Sequence, residues 1–161
     1  MLTQEQLKQK LSYDPETGDF TWLVGTKMIG KKAGSIDSKG YCRIQINGKF
    51  CKSHRLAWLY VYGEFPSADI DHVNGVRNDN RIKNLRDCSR IENMWNVGII
   101  PSNTSGFKGV VWRERDSKWQ AQIKIEGKSK HIGYFATAEL ASAAYKTKAR
   151  ELHGEFYRNT N

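Results

Sequence analysis

The stretch 68–75 sets an acidic residue beside a histidine, and it constrains the fold more than any other part of this chain. Its sequence is Ala-Asp-Ile-Asp-His-Val-Asn-Gly, with Asp71 and His72 at the centre. Apolar and acidic residues alternate up to Asp71, which is typical of a short β-strand, and the Asn-Gly dipeptide that follows is a strong turn signal. The pattern therefore predicts a strand that presents Asp71 and His72 at its end.

A helix start follows this strand at a short distance. Ser89 and Glu92 have the spacing of a capping box, which predicts that a helix begins there with Asn93 in its first turns. Asn84 lies between the two elements, twelve residues after His72. The order of strand, turn and helix predicts a compact unit in which these side chains face one another.

The residue types in this unit suit hydrolysis of a phosphodiester. Such a reaction needs a base that takes a proton from water and a hard cation that bears the charge developing on the phosphate. His72 is the predicted base, and Asn84 is expected to hold its ring by one nitrogen. Asp71 and Asn93 offer oxygen ligands to a single ion, which favours Mg²⁺ or Mn²⁺ over softer metals.

Together with Ser53-His-Arg-Leu-Ala-Trp58 and Asn84-Leu-Arg86, these residues resemble the His-Asn-His (HNH) endonucleases, and in particular the homing branch found in phages and their introns. The resemblance implies a ββα-metal fold. The third position of the motif is Asn93 in place of His, a variant that the homing branch often carries. Arg86 and Arg90 are expected to contact the scissile or an adjacent phosphate, Arg90 within the catalytic group and Arg86 as a DNA contact. For each, an ordinary surface arginine is the alternative.

Length and charge limit the classes of protein that remain. The 161 residues allow one ordinary domain or two small ones, and we expect two. The net charge of +9 and the pI near 9.5 favour a polyanionic partner, which we take to be double-stranded DNA bound by a monomer or a dimer. Neither an apolar run of membrane-spanning length nor a signal-peptide pattern is present, so we expect no membrane partner and an intracellular protein, in a bacterial host's cytoplasm if phage-encoded.

The three cysteines, Cys42, Cys51 and Cys88, are an odd number without Cys-x-x-Cys spacing. This favours free thiols over a disulfide framework. A zinc site that combines them with His54 is the alternative.

The predicted nuclease domain covers residues 1–98, with its catalytic unit at about 68–97. Its first elements are a helix over 3–12, strands over 18–23 and 40–51 with a hairpin turn at Asn47–Gly48, and a helix over 53–62 capped by Ser53. Gly63 is expected to end that helix.

Turn-forming residues over 99–106 predict a linker, and the composition changes after it. Strands are predicted over 110–115, 119–125 and 130–135, followed by an Ala-rich helix from Thr137 to about Leu152. In the middle strand the apolar residues from Trp119 to Ile125 alternate onto one face, which we expect to pack on the helix. The expected fold class is α+β, a ββα-metal nuclease domain followed by a small three-stranded antiparallel sheet packed on one helix.

Phe107-Lys-Gly-Val-Val-Trp-Arg-Glu-Arg115, Trp119-Gln-Ala-Gln-Ile123 and His131-Ile-Gly-Tyr-Phe135 resemble the plant ethylene-response-factor (APETALA-type) DNA-binding domain, which implies such a domain over 107–158. In that family the sheet enters the major groove. The resemblance and the sheet pattern assign DNA contacts to a set of mostly basic residues: Lys108, Arg113, Arg115, Gln122, Lys124, Lys130 and His131.

The sequence thus predicts a site-specific, metal-dependent DNA endonuclease of the homing type, whose C-terminal sheet selects the target. One alternative is a sequence-specific DNA-binding regulator with an inactive nuclease domain. The joint presence of Asp71, His72, Asn84 and Asn93 argues against it. A restriction- or defence-type nuclease is the other alternative.

Overall fold

The structure is a computed structural model that describes residues 1–125 and 127–158. Residue contacts divide the chain into two compact units, Met1–Arg90 and a second that begins at Ile91. The division comes before the predicted linker at 99–106, because the segment after Ile91 packs on the second unit. There the Trp95 ring stacks on His153 with centroids 4.3 Å apart.

The first unit opens with helix α1, Gln4–Lys10, and strand β1, Leu11–Tyr13. Thr3 caps the helix, since its hydroxyl accepts the Gln6 backbone N–H at 3.2 Å. The helix predicted over 3–12 is too long at its end. Leu11 is extended, pairs with Trp22 of strand β2, Phe20–Trp22, and is fully buried in the core.

A three-stranded antiparallel sheet follows, in the order β3 (Ser35–Ile36), β4 (Cys42–Ile46) and β5 (Lys49–Lys52). The predicted hairpin turn is confirmed, because Asn47 and Gly48 both have positive φ, 51° and 77°. Cys42, Cys51 and Cys88 are all thiols, as predicted.

Helix α2, Ser53–Tyr62, begins directly after β5 and ends at Gly63, whose φ of 86° is left-handed as predicted. The predicted cap is wrong by one position. Lys52 is the N-cap residue and makes no side-chain cap hydrogen bond, whereas Ser53 is already helical and buried. The apolar side of α2, with Leu56 and Leu59, packs into the core beside Leu7, Phe20 and Ile44.

The first unit ends with two antiparallel strands, β6 (Asp69–His72) and β7 (Leu85–Cys88). The loop between them is longer than a tight hairpin and finishes in a 3₁₀ turn, Ile82–Asn84. Helix α3, Arg90–Trp95, follows directly and carries Asn93, in agreement with the predicted helix start.

The second unit is a three-stranded antiparallel sheet with one helix on it. Strands β8 (Val110–Arg113), β9 (Lys118–Ile125) and β10 (Lys128–Phe135) lie in the order β10-β9-β8, and helix α4 is Ala138–His153. Thr137 caps α4, as predicted, by accepting the Leu140 N–H at 3.3 Å. The core between sheet and helix is formed by mostly small apolar residues: Val110, Ala121, Ile123, Ala138, Ala141, Tyr145 and Ala149.

The predicted fold class is confirmed, since helices and several small antiparallel sheets make up both units. None of the helices in the described residues combines the length and apolarity needed to cross a bilayer.

Candidate active site

The paired strands β6 and β7 place the two central residues of the sequence pattern. Asp71 and His72 are the last residues of β6 and lie opposite Arg86 and Leu85 of β7. Both side chains are buried, with relative exposures of 4% and 5%. The strand thus holds a carboxylate and an imidazole at one end of the pair, in the order that the sequence predicts.

Arg86 holds the carboxylate of Asp71. Its Nε and Nη2 donate to the same oxygen, Oδ2, at 2.8 Å and 2.6 Å. A buried carboxylate is costly without such a partner. Arg86 is bound to Asp71 and mostly buried, because the strand register sets these two residues opposite each other, and its DNA contact stays a prediction.

His72 is surrounded by aromatic rings from other parts of the unit. The His54 ring lies edge-on at 5.0 Å between centroids, and the Tyr41 ring at 6.0 Å. Burial lowers the pKa of His72, and the Asn80 side chain and the charge of Asp71 partly oppose this effect. The lowered pKa favours the neutral imidazole, the form that accepts a proton.

His54 forms a second buried imidazole beside His72. Burial, with the neighbouring His72, lowers its pKa to about 3. Within the described residues its Nδ1 has no hydrogen-bond partner. His54 is the second residue of α2, which begins directly after β5, and this places its ring against His72.

Asn84 braces the loop that follows His72. Its side-chain oxygen accepts the Asn74 N–H at 3.0 Å, and its nitrogen donates to the Asp79 carbonyl at 2.8 Å. Its backbone carbonyl accepts the Val73 N–H at 2.9 Å. Asn84 therefore acts on the backbone next to His72, and its bond to the ring stays a prediction.

Two further residues of this loop, Asp79 and Asn80, were not predicted to be functional. Asn80 is buried, its side chain raises the pKa of His72, and its carbonyl accepts the Tyr13 hydroxyl at 2.7 Å. Asp79 accepts hydrogen bonds from Arg81 on both carboxylate oxygens. This contact is the main reason that the pKa of Asp79 falls to about 2. The polar run 78–81 is the sequence signal that could have pointed to both.

Asn93 and Arg90 lie on α3. Asn93 is half-buried and belongs to the second unit, whereas Arg90 is exposed at the first position of the helix. Their predicted roles in metal and phosphate binding rest on residue chemistry and on sequence spacing.

The donor set is compatible with a magnesium-type ion. Mg²⁺ is commonly bound through one or two carboxylates together with waters and substrate phosphates, so it does not need an all-protein cage. Among residues 1–125 and 127–158, no group of three His, Cys, Asp or Glu could hold a metal. The buried Asp71 carboxylate fits this hard-ligand mode, whereas the alternative zinc site of three cysteines and His54 does not form.

On the second unit, the sheet face away from α4 carries a connected polar group. Arg113 Nε donates to Gln120 Oε1, and Gln120 Nε2 lies 2.8 Å from His131 Nδ1. The register also places Gln122 opposite His131 and Lys124 opposite Ser129 on this face. Four predicted DNA contacts, those of Arg113, Gln122, Lys124 and His131, therefore share one surface.

The remaining three predicted contacts lie elsewhere. Lys108 is half-buried, and its Nζ donates to the Trp95 carbonyl at 2.8 Å, while burial lowers its pKa to about 8. Lys130 pairs with the core residue Ile123, so it lies on the helix side of the sheet. Arg115 is exposed in the 3₁₀ turn Glu114–Asp116, because β8 ends two residues earlier than predicted.

Three comparisons with known proteins show what this chain is similar to. Residues 51–95 match the family model described as HNH endonuclease, which spans α2, β6, β7 and α3. Protein 3.8 of Escherichia phage T7 is 34% identical over 108 residues, which cover 66% of this chain and 88% of the T7 protein. The solved structure described as "DNA binding and cleavage by the HNH homing endonuclease I-HmuI" is 19% identical, with a TM-score of 0.44 over 88% of this chain and 76% of that one.

The match to the family model identifies an HNH endonuclease domain within residues 51–95. The chain belongs to the family of phage T7 protein 3.8. The matched segment ends before the C-terminal sheet, so the APETALA-type resemblance of that sheet has no support from these matches.

Proposed function

We propose that this protein is a metal-dependent endonuclease that hydrolyses phosphodiester bonds in double-stranded DNA. The observation that carries the proposal is the buried His72 beside the Asp71 carboxylate, within an HNH endonuclease domain. A divalent ion bound by Asp71 and Asn93 would supply the positive charge on which the scissile phosphate depends.

The other residues position this pair. His72 takes a proton from the attacking water, which requires the neutral ring that its burial favours. Arg86 fixes the carboxylate of Asp71, and Asn84 fixes the backbone after His72. Arg90, exposed at the start of α3, is proposed to contact a phosphate near the cut.

Target choice is proposed to come from the second unit. Arg113, Gln122, Lys124 and His131 lie on one face of a small sheet, and such a face fits the width of a major groove. We further propose the homing type of biology, with the C-terminal sheet acting as an APETALA-type module.

The metal proposal predicts a specific loss on mutation. Asp71→Asn keeps the shape of the side chain and removes its charge, so nicking in Mg²⁺ or Mn²⁺ should fall by at least about a hundredfold, as for loss of a metal or base function. Plasmid nicking at several Mg²⁺ concentrations measures this effect.

Asp69→Asn is the matched control, because Asp69 lies on the same strand two residues away. It should cut at close to the wild-type rate, and EDTA should stop every variant. Unfolding in urea shows whether loss of the Asp71–Arg86 ion pair has also weakened the fold. A folded Asp71→Asn variant with wild-type activity would contradict the metal-ligand role.

The sheet proposal predicts a loss of affinity on one face only. Arg113→Ala should cost about 1–3 kcal/mol of binding free energy if the guanidinium reads a guanine edge. Lys130→Ala removes one positive charge from the opposite side of the same sheet and should change binding little. Filter binding to duplexes carrying point changes in the cleavage site separates base reading from phosphate contact. Equal losses for the two variants would contradict the assignment of the face.

A further inference from the structure

A pair of cations is held on one tyrosine ring beside His72. Lys52 Nζ lies 3.5 Å from the centroid of the Tyr41 ring, and the Arg77 guanidinium carbon lies 5.3 Å from it. Lys52 is the last residue of β5, whereas Arg77 belongs to the loop after β6. Two segments distant in sequence therefore bring their positive charges to the same ring, by cation–π contacts.

Backbone and carboxylate contacts fix the two cations further. Arg77 Nη1 donates to the Lys39 carbonyl at 2.8 Å, and Lys52 Nζ lies 3.6 Å from Asp37 Oδ2. The other oxygen of Asp37 accepts the N–H groups of Lys39 and Tyr41, at 2.9 Å and 3.0 Å. Lys52, Arg77, Tyr41 and Asp37 thus form one cluster. It has two cations and one carboxylate, so it keeps a net positive charge and a defined shape.

The cluster also adjoins the proposed catalytic residues. The ring of Tyr41 lies 6.0 Å from that of His72 and 5.4 Å from that of His54. Helix α2 starts directly after Lys52 without an acidic residue in its first turn, so the positive end of its dipole adds to the potential there. An anion bound here would lie near the site where His72 acts.

We infer that Lys52 and Arg77, held on Tyr41, bind a DNA backbone phosphate next to the one that is cut. This inference rests on the proposed nuclease function. A phosphate contact positions the duplex without reading its sequence, and it releases counterions, so it makes binding depend on salt. The subsite would keep the scissile bond in register with His72.

The test uses the full-length protein and a duplex of about 30 base pairs in EDTA, where no cutting is expected. Binding is measured by fluorescence anisotropy between 50 and 200 mM NaCl, the range in which phosphate contacts change affinity strongly. Log affinity falls as log salt rises, and Lys52→Ala and Arg77→Ala should each make this negative slope less steep by about 0.9, the loss of one phosphate contact.

Lys8→Ala is the matched control. Lys8 Nζ lies over the Tyr60 ring at 5.1 Å, so this variant removes the same charge and the same kind of contact from another place in the unit. Its salt slope should equal that of the wild type. Tyr41→Phe keeps the aromatic face and should retain the slope, whereas Tyr41→Leu should make it less steep.

Unchanged slopes in folded Lys52→Ala and Arg77→Ala proteins would overturn the phosphate subsite. So would equal changes in Lys8→Ala, because a general charge effect would then explain them. Failure of the nuclease function is observed separately, as absence of plasmid nicking by the wild type in Mg²⁺. The two failures therefore come from different measurements.

Discussion

Replacement of His72 by alanine is expected to lower DNA nicking by about 10²- to 10⁴-fold, the contribution typical of a general base. DNA affinity should stay within about twofold, because the buried ring of His72 does not account for the phosphate and base contacts that supply binding. Single-turnover nicking at saturating protein gives the rate of the chemical step, and anisotropy in EDTA gives the affinity.

His131→Ala is the control that should show the opposite behaviour. His131 lies on the sheet of the second unit, where its ring nitrogen meets Gln120. Its loss should weaken binding and leave the rate at saturating protein unchanged. If His72→Ala lost affinity and rate in equal measure, the ring would be a binding group, and its role as base would be wrong.

Gly18→Ala is expected to produce a large loss of stability in the first unit. A Cβ at Gly18 would lie 2.4 Å from the Arg81 nitrogen and 2.5 Å from the Asn80 carbonyl carbon, both of them backbone atoms that cannot move independently. The backbone would have to shift in the loop that carries Asn80. Overpacking of this kind costs about 1–3 kcal/mol or more, in addition to about 1–2 kcal/mol for a left-handed alanine.

Gly30→Ala is the control, because it measures the cost of a left-handed alanine without a steric clash. Gly30 has φ of 78°, against 77° at Gly18, and an added Cβ there meets nothing within 4 Å. Urea unfolding should show Gly18→Ala to be less stable than Gly30→Ala by at least about 1 kcal/mol. Nicking should fall further in Gly18→Ala, since the Asn80 side chain raises the pKa of His72. Equal stability of the two variants would show that the Gly18 contact is not tight.

Features encoded by neighbouring residues could be predicted from the sequence. The Asn47–Gly48 turn, the Thr137 cap and the left-handed Gly63 each depend on the local conformational preference of one or two residues. The position of Asp71 and His72 at the end of a strand also follows from the local sequence.

Features set by distant residues could not. The first helix ends at Lys10 because the next residue pairs with Trp22, and the arginine predicted to bind DNA holds Asp71 because β7 lies beside β6. Tyr41 and His54 meet His72 only in the folded unit. Local patterns in a single sequence do not show which residues from distant parts of the chain become neighbours.

The measurement that tests the central claim most directly is conversion of supercoiled plasmid carrying candidate target sequence, with wild-type protein in Mg²⁺ and in Mg²⁺ with excess EDTA. We expect relaxed circles to accumulate in Mg²⁺ alone, and a His72→Ala sample prepared in the same way to leave the plasmid supercoiled. Relaxed circles that form equally in EDTA, or equally with His72→Ala, would contradict a metal-dependent nuclease site at His72.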